Sequence, residues 1–320
     1  MGVEEFDFAH ASEHERRALY EVLAASEAEE LREAAPYEAC VTGWQSPNDL
    51  GFAPPRFAVA REGGQIVGYV SARVNGEKAN DHIALVYLVV LPGLRRRGIG
   101  TALLRAMPSL MPGRTVAESW NVRGGTSGEH FAAAHGLRVV TSMTRQRLDV
   151  TGPPEMGEVP AGYELVTWTG RTPDEFAKAC VDGFNAMSDA PFGDTALDSA
   201  GYTVDRLRRE ESNVLTAGGD RWVVLALRDG EIAGLTVVER APGETATAEQ
   251  LHTVVVPAHR GRGLGRLLKT RMLHELSGIE VIFTRTSSEN EHMLRVNHAL
   301  GYQDLYTYLA VQAKIADPQP

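Results

Sequence analysis

Two stretches of the chain join a basic, glycine-rich loop to an apolar run that precedes it. The first runs Val89-Val90-Leu91-Pro92 into Arg95-Arg96-Arg97-Gly98-Ile99-Gly100, and the second runs Val254-Val255-Val256-Pro257 into Arg260-Gly261-Arg262-Gly263-Leu264-Gly265. Each predicts a short buried strand, a turn that begins at proline, and a helix whose first backbone amides are free to bind an anion. Such a loop favours a phosphate ligand, and the length of the run of amides suits a pyrophosphate.

The order and spacing resemble motif A of the GNAT superfamily of acyl-CoA-dependent N-acyltransferases, which reads Arg/Gln-x-x-Gly-x-Gly/Ala at the start of a helix. Both copies fill the motif, with Arg95, Gly98 and Gly100 and with Arg260, Gly263 and Gly265. The resemblance implies acetyl-CoA as the co-substrate. The residues expected to bind it are Val89, Val90, Leu91, Arg95, Arg96, Arg97, Gly98, Ile99, Gly100 and Thr101 in the first copy, and Val254, Val255, Val256, Arg260, Gly261, Arg262, Gly263, Leu264, Gly265 and Arg266 in the second.

Two other phosphate-binding loops do not fit these stretches. A Rossmann loop needs a third glycine, and the second copy has Arg266 at that position. A Walker A loop ends in Gly-Lys-Ser/Thr, and neither copy does. A turn that binds no ligand is the remaining alternative for a single copy, and the duplication argues against it.

The repeat divides the chain into two domains. The prolines and the first motif glycines of the two copies lie 165 positions apart in a chain of 320 residues, which exceeds the usual size of one domain. Residues 151–162 contain three prolines and three glycines and predict a linker between domains at 1–150 and 163–320. The resemblance implies an α/β (α+β) fold of two tandem GNAT domains, arranged as in mycothiol synthases, each a mixed, mostly antiparallel sheet flanked by helices.

Composition and charge limit the partners of the protein. Apolar residues make up 43% of the chain and charged residues 23%, which is typical of a globular protein. A formal net charge of −10 argues against general nucleic-acid binding, since neutralising phosphates requires a basic surface. No secretory signal or bilayer-spanning run is evident, and two cysteines, one in each half, form neither a disulfide framework nor a metal site. We expect a cytoplasmic monomer or homodimer that binds small molecules and no nucleic acid, membrane or metal.

Glu249 and His252 are the residues on the second cofactor strand that are able to move a proton. Glu249 lies thirteen residues before Arg262, the spacing at which several GNAT enzymes carry their general base, and the matching residue of the first half is Ala84. A general base must reach the amine directly or through one water. A surface glutamate at a strand end is the alternative for Glu249. His252 is the second candidate, because histidine ordinarily titrates near neutrality, with a structural role as its alternative.

A later segment, residues 284–302, resembles the closing motif of GNAT domains. Asn290 matches the asparagine that contacts the pantetheine arm, and it is also suited to cap the following helix. Many GNAT enzymes have a tyrosine seven residues later that protonates the leaving thiolate, and this chain has Asn297. Asn297 is expected to hydrogen-bond the thiol or to position a water. An amide is not a proton donor of that kind, so the alternative sources, each with strand packing as its other role, are Tyr302, Tyr306 and Tyr308.

The first half lacks most of this chemistry. Counting back from the glycine that closes each segment, Gly125 stands opposite Asn290 and Ala132 stands opposite Asn297. The first domain is therefore expected to be degenerate. It either binds acetyl-CoA as a structural ligand or leaves its loop empty.

Residues 182–194 correspond to the segment that selects the acceptor in GNAT domains. Three aspartates together with Phe184 and Phe192 suit a cationic amine with an apolar body, and a solvated loop anchored by two aromatic rings is the alternative. The resemblance implies an acetyl-CoA-dependent N-acetyltransferase that acetylates a small primary amine by direct transfer in the C-terminal domain. The alternatives are a non-catalytic acyl-CoA sensor or assembly module, and a transferase that uses other acyl donors or hydroxyl acceptors.

Overall fold

The computed structural model describes residues 2–29, 34–48, 50–76, 80–189, 193–198 and 201–315. The chain forms two compact units and enters each of them more than once. Unit 1 contains Met1–Thr141, Asp194–Asp198 and Leu309–Pro320, and unit 2 contains Ser142–Gly193 and Ser199–Tyr308. The predicted linker, residues 151–162, has no helix or strand, and the predicted domain boundaries on either side of it stay predictions.

The first half of the chain supplies six strands and four α-helices among the described residues. They are β1 (Gly2–Phe6), α1 (Glu13–Glu29), α2 (Tyr37–Gln45), β2 (Arg56–Glu62), β3 (Gln65–Val74), β4 (Ile83–Val90), α3 (Ile99–Ala106), β5 (Val116–Arg123), α4 (Ser127–Ala134) and β6 (Arg138–Asp149). In unit 1 the strand order is β1-β2-β3-β4-β5. Strand β6 begins in unit 1 and ends in unit 2.

The second half repeats this order of elements. They are β7 (Tyr163–Thr169), α5 (Asp174–Asn185), α6 (Val204–Thr216), β8 (Asp220–Arg228), β9 (Glu231–Arg240), β10 (Thr247–Val255), α7 (Leu264–Glu275), β11 (Val281–Ser287), α8 (Glu291–Ala299) and β12 (Gln303–Lys314). In unit 2 the strand order is β6-β11-β10-β9-β8-β7. Each unit thus has a mixed, mostly antiparallel sheet with helices, which confirms the predicted fold class.

A glycine allows two strands to approach closely at the same point of both sheets. A Cβ on Gly68 in β3 would lie 2.8 Å from the carbonyl oxygen of Val89, and a Cβ on Gly234 in β9 would lie 2.6 Å from that of Val254. Real side chains do not tolerate such contacts with backbone. The ladders β2–β3 and β8–β9 also carry a register shift at equivalent points. The repeat in the sequence is therefore a repeat in backbone geometry.

The parallel ladder in each sheet is short. Strand β4 pairs with β5 only over Ile83–Leu85, and β10 pairs with β11 only over Thr247–Gln250. Beyond these residues the last part of β4 and of β10 has no strand partner on that edge among the described residues. Each open edge leads directly into one of the two glycine-rich loops.

Helices cover both faces of each sheet. In unit 1, Leu103 of α3 lies in the core on one face and Leu19 of α1 lies in the core on the other. In unit 2, Leu268 of α7 and Phe184 of α5 occupy the equivalent places. Each sheet therefore carries an apolar core on both faces, which fixes the position of the loop between strand and helix.

The helices that follow the two glycine-rich loops are α3 and α7. Four apolar residues of α7 at helical spacing are buried, namely Leu264, Leu267, Leu268 and Met272. Helix α3 stops at Ala106, and Pro108 lies in the 3₁₀ turn Met107–Leu110 that follows. Proline removes a hydrogen-bond donor and clashes with the preceding turn, so it ends a regular helix.

Candidate active site

The two glycine-rich loops close into the same backbone shape. Gly98 and Gly263 are the residues before α3 and α7, and both are left-handed, with φ of 82° and 77°. The first helical hydrogen bonds are donated by Ala102 to Gly98 over 3.0 Å and by Leu267 to Gly263 over 3.1 Å. The amides of residues 99–101 and 264–266 therefore have no partner inside their helices. These three amides, at the positive end of the helix dipole, form a site for an anion.

A second left-handed residue precedes each of these glycines. It is Gly261, with φ of 75°, in the second loop and Arg96, with φ of 65°, in the first. A residue with a Cβ pays about 1 to 2 kcal/mol for this conformation. The first loop thus has the same backbone shape as the second although Arg96 stands where the second loop has Gly261.

The motif arginines brace the strand that precedes each loop. Arg95 donates from Nε to the carbonyl oxygen of Val90 over 3.1 Å, and Arg260 donates from Nε to that of Val255 over 3.0 Å. Arg95 also pairs with Glu29 and donates to the hydroxyls of two serines. These contacts give the motif arginines a structural task. The binding of the cofactor by them stays a prediction.

The arginine two positions beyond each motif arginine is placed differently. Arg97 and Arg262 are exposed. Neither forms an ion pair among the residues that the structure describes. Each stands beside the free amides of its loop, where a guanidinium is able to contact a phosphate oxygen.

At the ends of β4 and β10, every second backbone amide points towards the open edge of the strand. Leu91 donates to the carbonyl oxygen of Val67 over 2.9 Å, and Val256 donates to that of Ala233 over 3.0 Å. Because residues of an antiparallel strand alternate in direction, the neighbouring amides of residues 90 and 255 face the opposite edge, where the parallel partner is missing. Of the three valines predicted to hold the cofactor, Val255 is therefore the one with an available amide.

The loop of unit 1 borders a cavity of about 400 Å³. Its walls include the end of β4, the glycine-rich loop, the last part of β5 and the inner side of α4. Phe131 of α4 packs against the loop helix so closely that a Cβ on Gly100 would lie 3.0 Å from its ring. Thr101 and His135 are joined by a hydrogen bond of 3.1 Å at the same place. The cavity thus borders both an open strand edge and the free amides of the loop.

The helices after β5 and β11 are capped by side chains. Asn290 accepts a hydrogen bond of 3.1 Å from the amide of Met293, so it caps α8. The cap of α4 is Thr126, which accepts a bond of 3.3 Å from Gly128. The equivalent of Asn290 by structure is therefore Thr126. Counting back from the closing glycine gave Gly125 because helix α4 has 8 residues and α8 has 9. Contact of Asn290 with pantetheine stays a prediction.

Glu249 lies in a row of charged and aromatic residues that crosses unit 2. Cα pairing joins, strand by strand, Arg221, Glu239, Glu249, Phe283 and Arg147. The Glu249 carboxylate is one-third exposed and forms an ion pair with Arg145, whose guanidinium lies 4.5 Å from the centre of the Phe283 ring. This arrangement fixes the direction of the carboxylate and leaves one of its oxygens for another partner.

His252 is too weakly basic for the role of second base. It lies 5.2 Å from Phe184, centre to centre, on the α5 side of the sheet. Burial lowers the pKa of His252 to about 4, and the positive charges of Arg221 and Arg206 act in the same direction. The imidazole is therefore neutral near pH 7 and a poor proton acceptor there. The sequence predicts that His252 titrates near neutrality, and the structure does not support this prediction.

Asn297 is fully buried in a polar network of unit 2. Its Nδ2 donates to Gln146 Oε1 over 2.6 Å and to Thr286 Oγ1 over 3.0 Å. Its Oδ1 is buried and has no hydrogen-bond partner among the described residues. These contacts hold α8 on β6 and β11. A catalytic role for Asn297 stays a prediction, and its free oxygen is the atom that would carry it.

The three tyrosines differ in their surroundings. Tyr302 is buried, and burial raises the pKa of its hydroxyl above the ordinary value, which makes it a poorer proton donor. The hydroxyls of Tyr306 and Tyr308 lie 3.3 Å apart, and the Arg285 guanidinium lies 4.7 Å from the Tyr308 ring centre. The source of the proton for the thiolate stays open among them.

Of the three aspartates in residues 182–194, the structure describes the side chains of two, and each forms an ion pair. Asp182 pairs with Lys178 at 2.5 Å in unit 2, and Asp194 pairs with Arg138 at 2.8 Å in unit 1. Phe192 and the Asp189 side chain lie outside the described residues. Phe184 is buried beside His252. Each of the two described aspartates has a cationic side chain as its partner, so neither needs an amine ligand to balance its charge.

Sequence reasoning missed Arg145, the partner of Glu249. Arg145 belongs to β6 and stands 104 positions earlier in the chain, so no local spacing connects the two residues. The alternation Arg145-Gln146-Arg147 on a strand was the available signal, because it places both arginines on one face.

The described residues contain no group of three His, Cys, Asp or Glu that could hold a metal ion. None of the described helices is long and apolar enough to cross a membrane.

Comparisons with known proteins agree with this geometry. The model of the Acetyltransferase (GNAT) family matches residues 16–123 and 188–302. The mycothiol acetyltransferase of Thermomonospora curvata is 30% identical over 275 residues, which cover 83% of each chain. That of Nocardia farcinica is 29% identical over 266 residues, which cover 81% of this chain and 82% of the relative.

Solved structures show the same duplication. A tandem GNAT protein from the clavulanic acid biosynthesis pathway superposes with a TM-score of 0.76 at 28% identity, covering 100% of this chain and 99% of the other. A GCN5-related N-acetyltransferase from Sphaerobacter thermophilus superposes with a TM-score of 0.72 at 16% identity, covering 98% of this chain and 95% of the other, which supports the fold alone. The predicted resemblance to tandem GNAT proteins is confirmed.

Proposed function

Because the chain belongs to the Acetyltransferase (GNAT) family and is a GNAT-type acyltransferase, we propose that unit 2 transfers the acetyl group of acetyl-CoA to a small primary amine. The amine attacks the thioester carbonyl directly, without an acyl-enzyme. The family supplies the acyltransferase chemistry. What we propose is the identity of the acyl donor, the class of the acceptor and the residues that bind and activate them.

The free amides of the second loop are the proposed site of the pyrophosphate. Leu264, Gly265 and Arg266 present three amides at the start of α7, and Arg262 adds a positive charge beside them. The amide of Val255 faces the open edge of β10 and suits the amide groups of the pantetheine arm. A ligand held by both lies along the edge of β10 with its thioester towards the start of that strand. Bound there, acetyl-CoA supplies an activated acyl group.

The position of Glu249 is the observation that carries the proposal. It pairs with Phe283 one residue before the β10–β11 ladder ends, so it stands where the two strands part. The same strand runs on into the phosphate loop. A thioester bound along the open edge therefore has its reacting end near this carboxylate. The matching residue of unit 1, Ala84, is fully buried and offers no such group.

The acceptor nitrogen loses two protons, one before attack and one as the amide forms, and the leaving thiolate gains one. Glu249, held by Arg145, takes the first proton from the ammonium group directly or through one water. The neutral nitrogen then forms a bond to the carbonyl carbon as the carbon–sulfur bond breaks. The nitrogen gives up its second proton, and the departing coenzyme A thiolate takes up one proton to become the free thiol. We propose Asn297 Oδ1 as the acceptor that orients the thiol or a water at this stage.

The test is the pair Glu249→Gln and Glu244→Gln. Both remove one negative charge, and Glu244 is exposed in the turn before β10. Loss of a general base lowers turnover by about 10² to 10⁴, so Glu249→Gln is expected to release free thiol that much more slowly across a panel of primary amines. Acetyl-CoA affinity is expected to stay the same in both variants. Unchanged turnover in Glu249→Gln removes Glu249 from this role.

Unit 1 is proposed to bind acyl-CoA without transferring its acyl group. Its loop keeps the free amides and borders a cavity, while Ala84 replaces the base. If neither unit transfers, the protein is an acyl-CoA sensor, and wild-type thiol release will not respond to any amine. A preference for hydroxyl acceptors or larger thioesters in the same assay would identify the other alternative.

We further propose that the enzyme acts in the cytoplasm as a monomer or homodimer on a small-molecule amine. Cys40 and Cys180 are both free thiols, as is usual in a reducing compartment. Light scattering of the purified protein measures its mass and separates the monomer from the homodimer.

A further inference from the structure

Arg285 borders the gap between β10 and β11 in unit 2. It is the next residue of β11 after Thr284, which is the last residue of that strand to pair with β10. Beyond Thr284 the two strands part, and a thioester bound along β10 has its reacting end in this gap. The Arg285 side chain is exposed. It therefore stands at the place where an acceptor has to meet the thioester.

Arg285 and Glu249 lie on the same face of the sheet. Glu249 pairs with Phe283, so these two side chains point to one face. Arg285 follows Phe283 by two positions and shares that face, because side chains alternate along a strand. By the usual strand spacing and rise per residue, the Cα atoms of Glu249 and Arg285 are about 8 Å apart. A small molecule with its amine at Glu249 therefore brings its other end near Arg285.

The acidic residues on the strands around this place already have arginine partners. The ion pairs are Glu249 with Arg145, Glu239 with Arg221 and Asp149 with Arg147. Arg285 forms no ion pair in the part of the chain that the structure describes. An arginine remains protonated in a protein. The strands around Glu249 therefore carry one positive charge that has no counterion.

Arg285 also stands directly opposite another arginine. It pairs with Arg145 across the antiparallel ladder of β6 and β11. Side chains opposite each other in such a ladder have Cβ atoms about 4.5 to 5.5 Å apart, and like charges there are destabilising. Glu249 neutralises Arg145, but no described residue neutralises Arg285. A bound anion would remove this unfavourable interaction.

The ring of Tyr308 holds the Arg285 guanidinium in position. The central carbon of the guanidinium lies 4.7 Å from the ring centre, and Tyr308 is buried. A cation–π contact of this kind stabilises the charge but takes none of the N–H donors. The planar set of donors is therefore oriented and remains available to a carboxylate.

We propose that the acceptor of unit 2 is an amino acid, a primary amine that also carries a carboxylate. Its amino group lies at Glu249, as in the transfer proposed for unit 2, on which this assignment of the acceptor rests. Its carboxylate binds Arg285 and balances the one surplus charge. A second cationic group in that place would meet a like charge, so Arg285 disfavours diamines and polyamines. Arg285 is thus the residue that determines specificity.

Three amines with a four-carbon chain test the charge of the acceptor. 4-Aminobutyrate, n-butylamine and 1,4-diaminobutane differ at the far end of the chain, and each is titrated calorimetrically into the full chain saturated with coenzyme A. 4-Aminobutyrate is expected to bind about tenfold more tightly than n-butylamine, because it adds a charge-assisted bond. The diamine is expected to bind more weakly than n-butylamine. Equal binding of all three, preference for the diamine, or no binding of 4-aminobutyrate at millimolar concentration overturns the proposal.

Two variants of Arg285 and one control locate the contact. Arg285→Gln removes the charge and is expected to weaken 4-aminobutyrate by about tenfold to hundredfold, while n-butylamine binds as before. Arg285→Lys keeps the charge and is expected to recover part of the loss. Arg295→Gln removes an exposed charge from α8, which packs on the opposite face, and is expected to bind like the wild type. Equal weakening of 4-aminobutyrate and n-butylamine in Arg285→Gln contradicts the assignment.

Thiol release separates the choice of acceptor from the transfer itself. With acetyl-CoA as the donor, kcat/KM is expected to be higher for 4-aminobutyrate than for n-butylamine, and Arg285→Gln is expected to remove this preference. Release without a preference contradicts the amino acid acceptor and leaves the transfer standing. Charge-selective binding without release for any amine contradicts the transfer and leaves Arg285 as the residue that binds the carboxylate.

Discussion

Replacing Gly265 by valine tests whether the ligand needs a small residue here while the fold does not. A Cβ at this position would meet only Val255 Cγ2, at 3.8 Å, which is an ordinary contact. The protein therefore has room for a Cβ. Because glycine is a poorer helix former than valine, unfolding free energy is expected to change by less than about 1 kcal/mol.

Binding of the phosphate is expected to be more sensitive to this change than the fold. The amides of residues 264–266 bind an anion only if it approaches the backbone closely. The motif accepts glycine or alanine at this position, and the two γ methyl groups of valine exceed that limit and keep the anion away. Loss of a single hydrogen bond to a charged group is worth about 1.5 to 3 kcal/mol, which corresponds to about a tenfold to hundredfold weaker affinity. Gly265→Val is therefore predicted to be a stable protein with weak acetyl-CoA binding in unit 2.

The assay is calorimetric titration with acetyl-CoA, with the loop of unit 1 blocked by Gly100→Glu so that one site is observed. Gly43→Val is the matched control, because Gly43 lies inside helix α2 and a Cβ there meets nothing within 4 Å. The control is expected to bind like its parent. If Gly265→Val also binds like its parent, the amides at the start of α7 do not hold the phosphates and the reasoning is refuted.

Three further predictions concern buried polar groups of unit 2. Burial lowers the pKa of Lys269 to about 7. The unfolded chain keeps this proton up to its ordinary pKa near 10.5, so unfolding free energy is predicted to rise by up to about 4 to 5 kcal/mol between pH 7 and 10.5. Measured by urea denaturation, the unfolding free energy of Lys269→Met should not rise over this pH range. An equal rise in Lys269→Met and in the wild type would contradict the assignment of the effect to Lys269. His252, with a pKa of about 4, binds its proton only after unfolding between pH 6.5 and 4. Unfolding free energy is predicted to fall by up to about 3 kcal/mol as the pH drops through that range, and His252→Gln should reduce this fall. An equal fall in His252→Gln and in the wild type would contradict the prediction. Asn297→Ala removes two buried hydrogen bonds and is predicted to lower unfolding free energy by about 2 to 4 kcal/mol, whereas an unchanged denaturation midpoint would show that the network does not stabilise α8.

The sequence predicted the features that depend on local chemistry. The two loops, their left-handed glycines and the caps of the following helices are set by residues within a few positions of each other. Gly98 and Gly263 take the backbone conformation that glycine permits, and Asn290 caps α8 as its type predicts. Helix α7 buries four apolar residues at helical spacing, but it also buries Lys269, which the spacing places on the outer face.

Features that depend on distant residues were not predictable in this way. The task of Arg95 is set by contacts with Val90 and with residues of α1 and α4, and a motif position does not encode them. The pKa of His252 is lowered by the packing around it, which composition does not reveal. Arg145 meets Glu249 because β6 pairs with β11, a pairing between strands far apart in the sequence.

The cavity of unit 1 is another such feature. The absence of Glu249 and Asn297 equivalents indicated a degenerate domain, yet the open edge of β4 and the gap to β5 remain. A cavity is formed by strands that part and by the side chains that meet across the gap, and these follow from the sheet geometry. The loss of catalytic residues therefore says little about the loss of a binding site.

Amine-dependent thiol release by two loop variants tests most directly whether transfer takes place in unit 2. Gly265→Glu places a carboxylate among the amides of the second loop, and Gly100→Glu does so in the first. The account predicts that Gly265→Glu abolishes release across the amine panel, while Gly100→Glu, once shown to be folded, keeps it. Full activity in Gly265→Glu, or loss of activity only in Gly100→Glu, would contradict it.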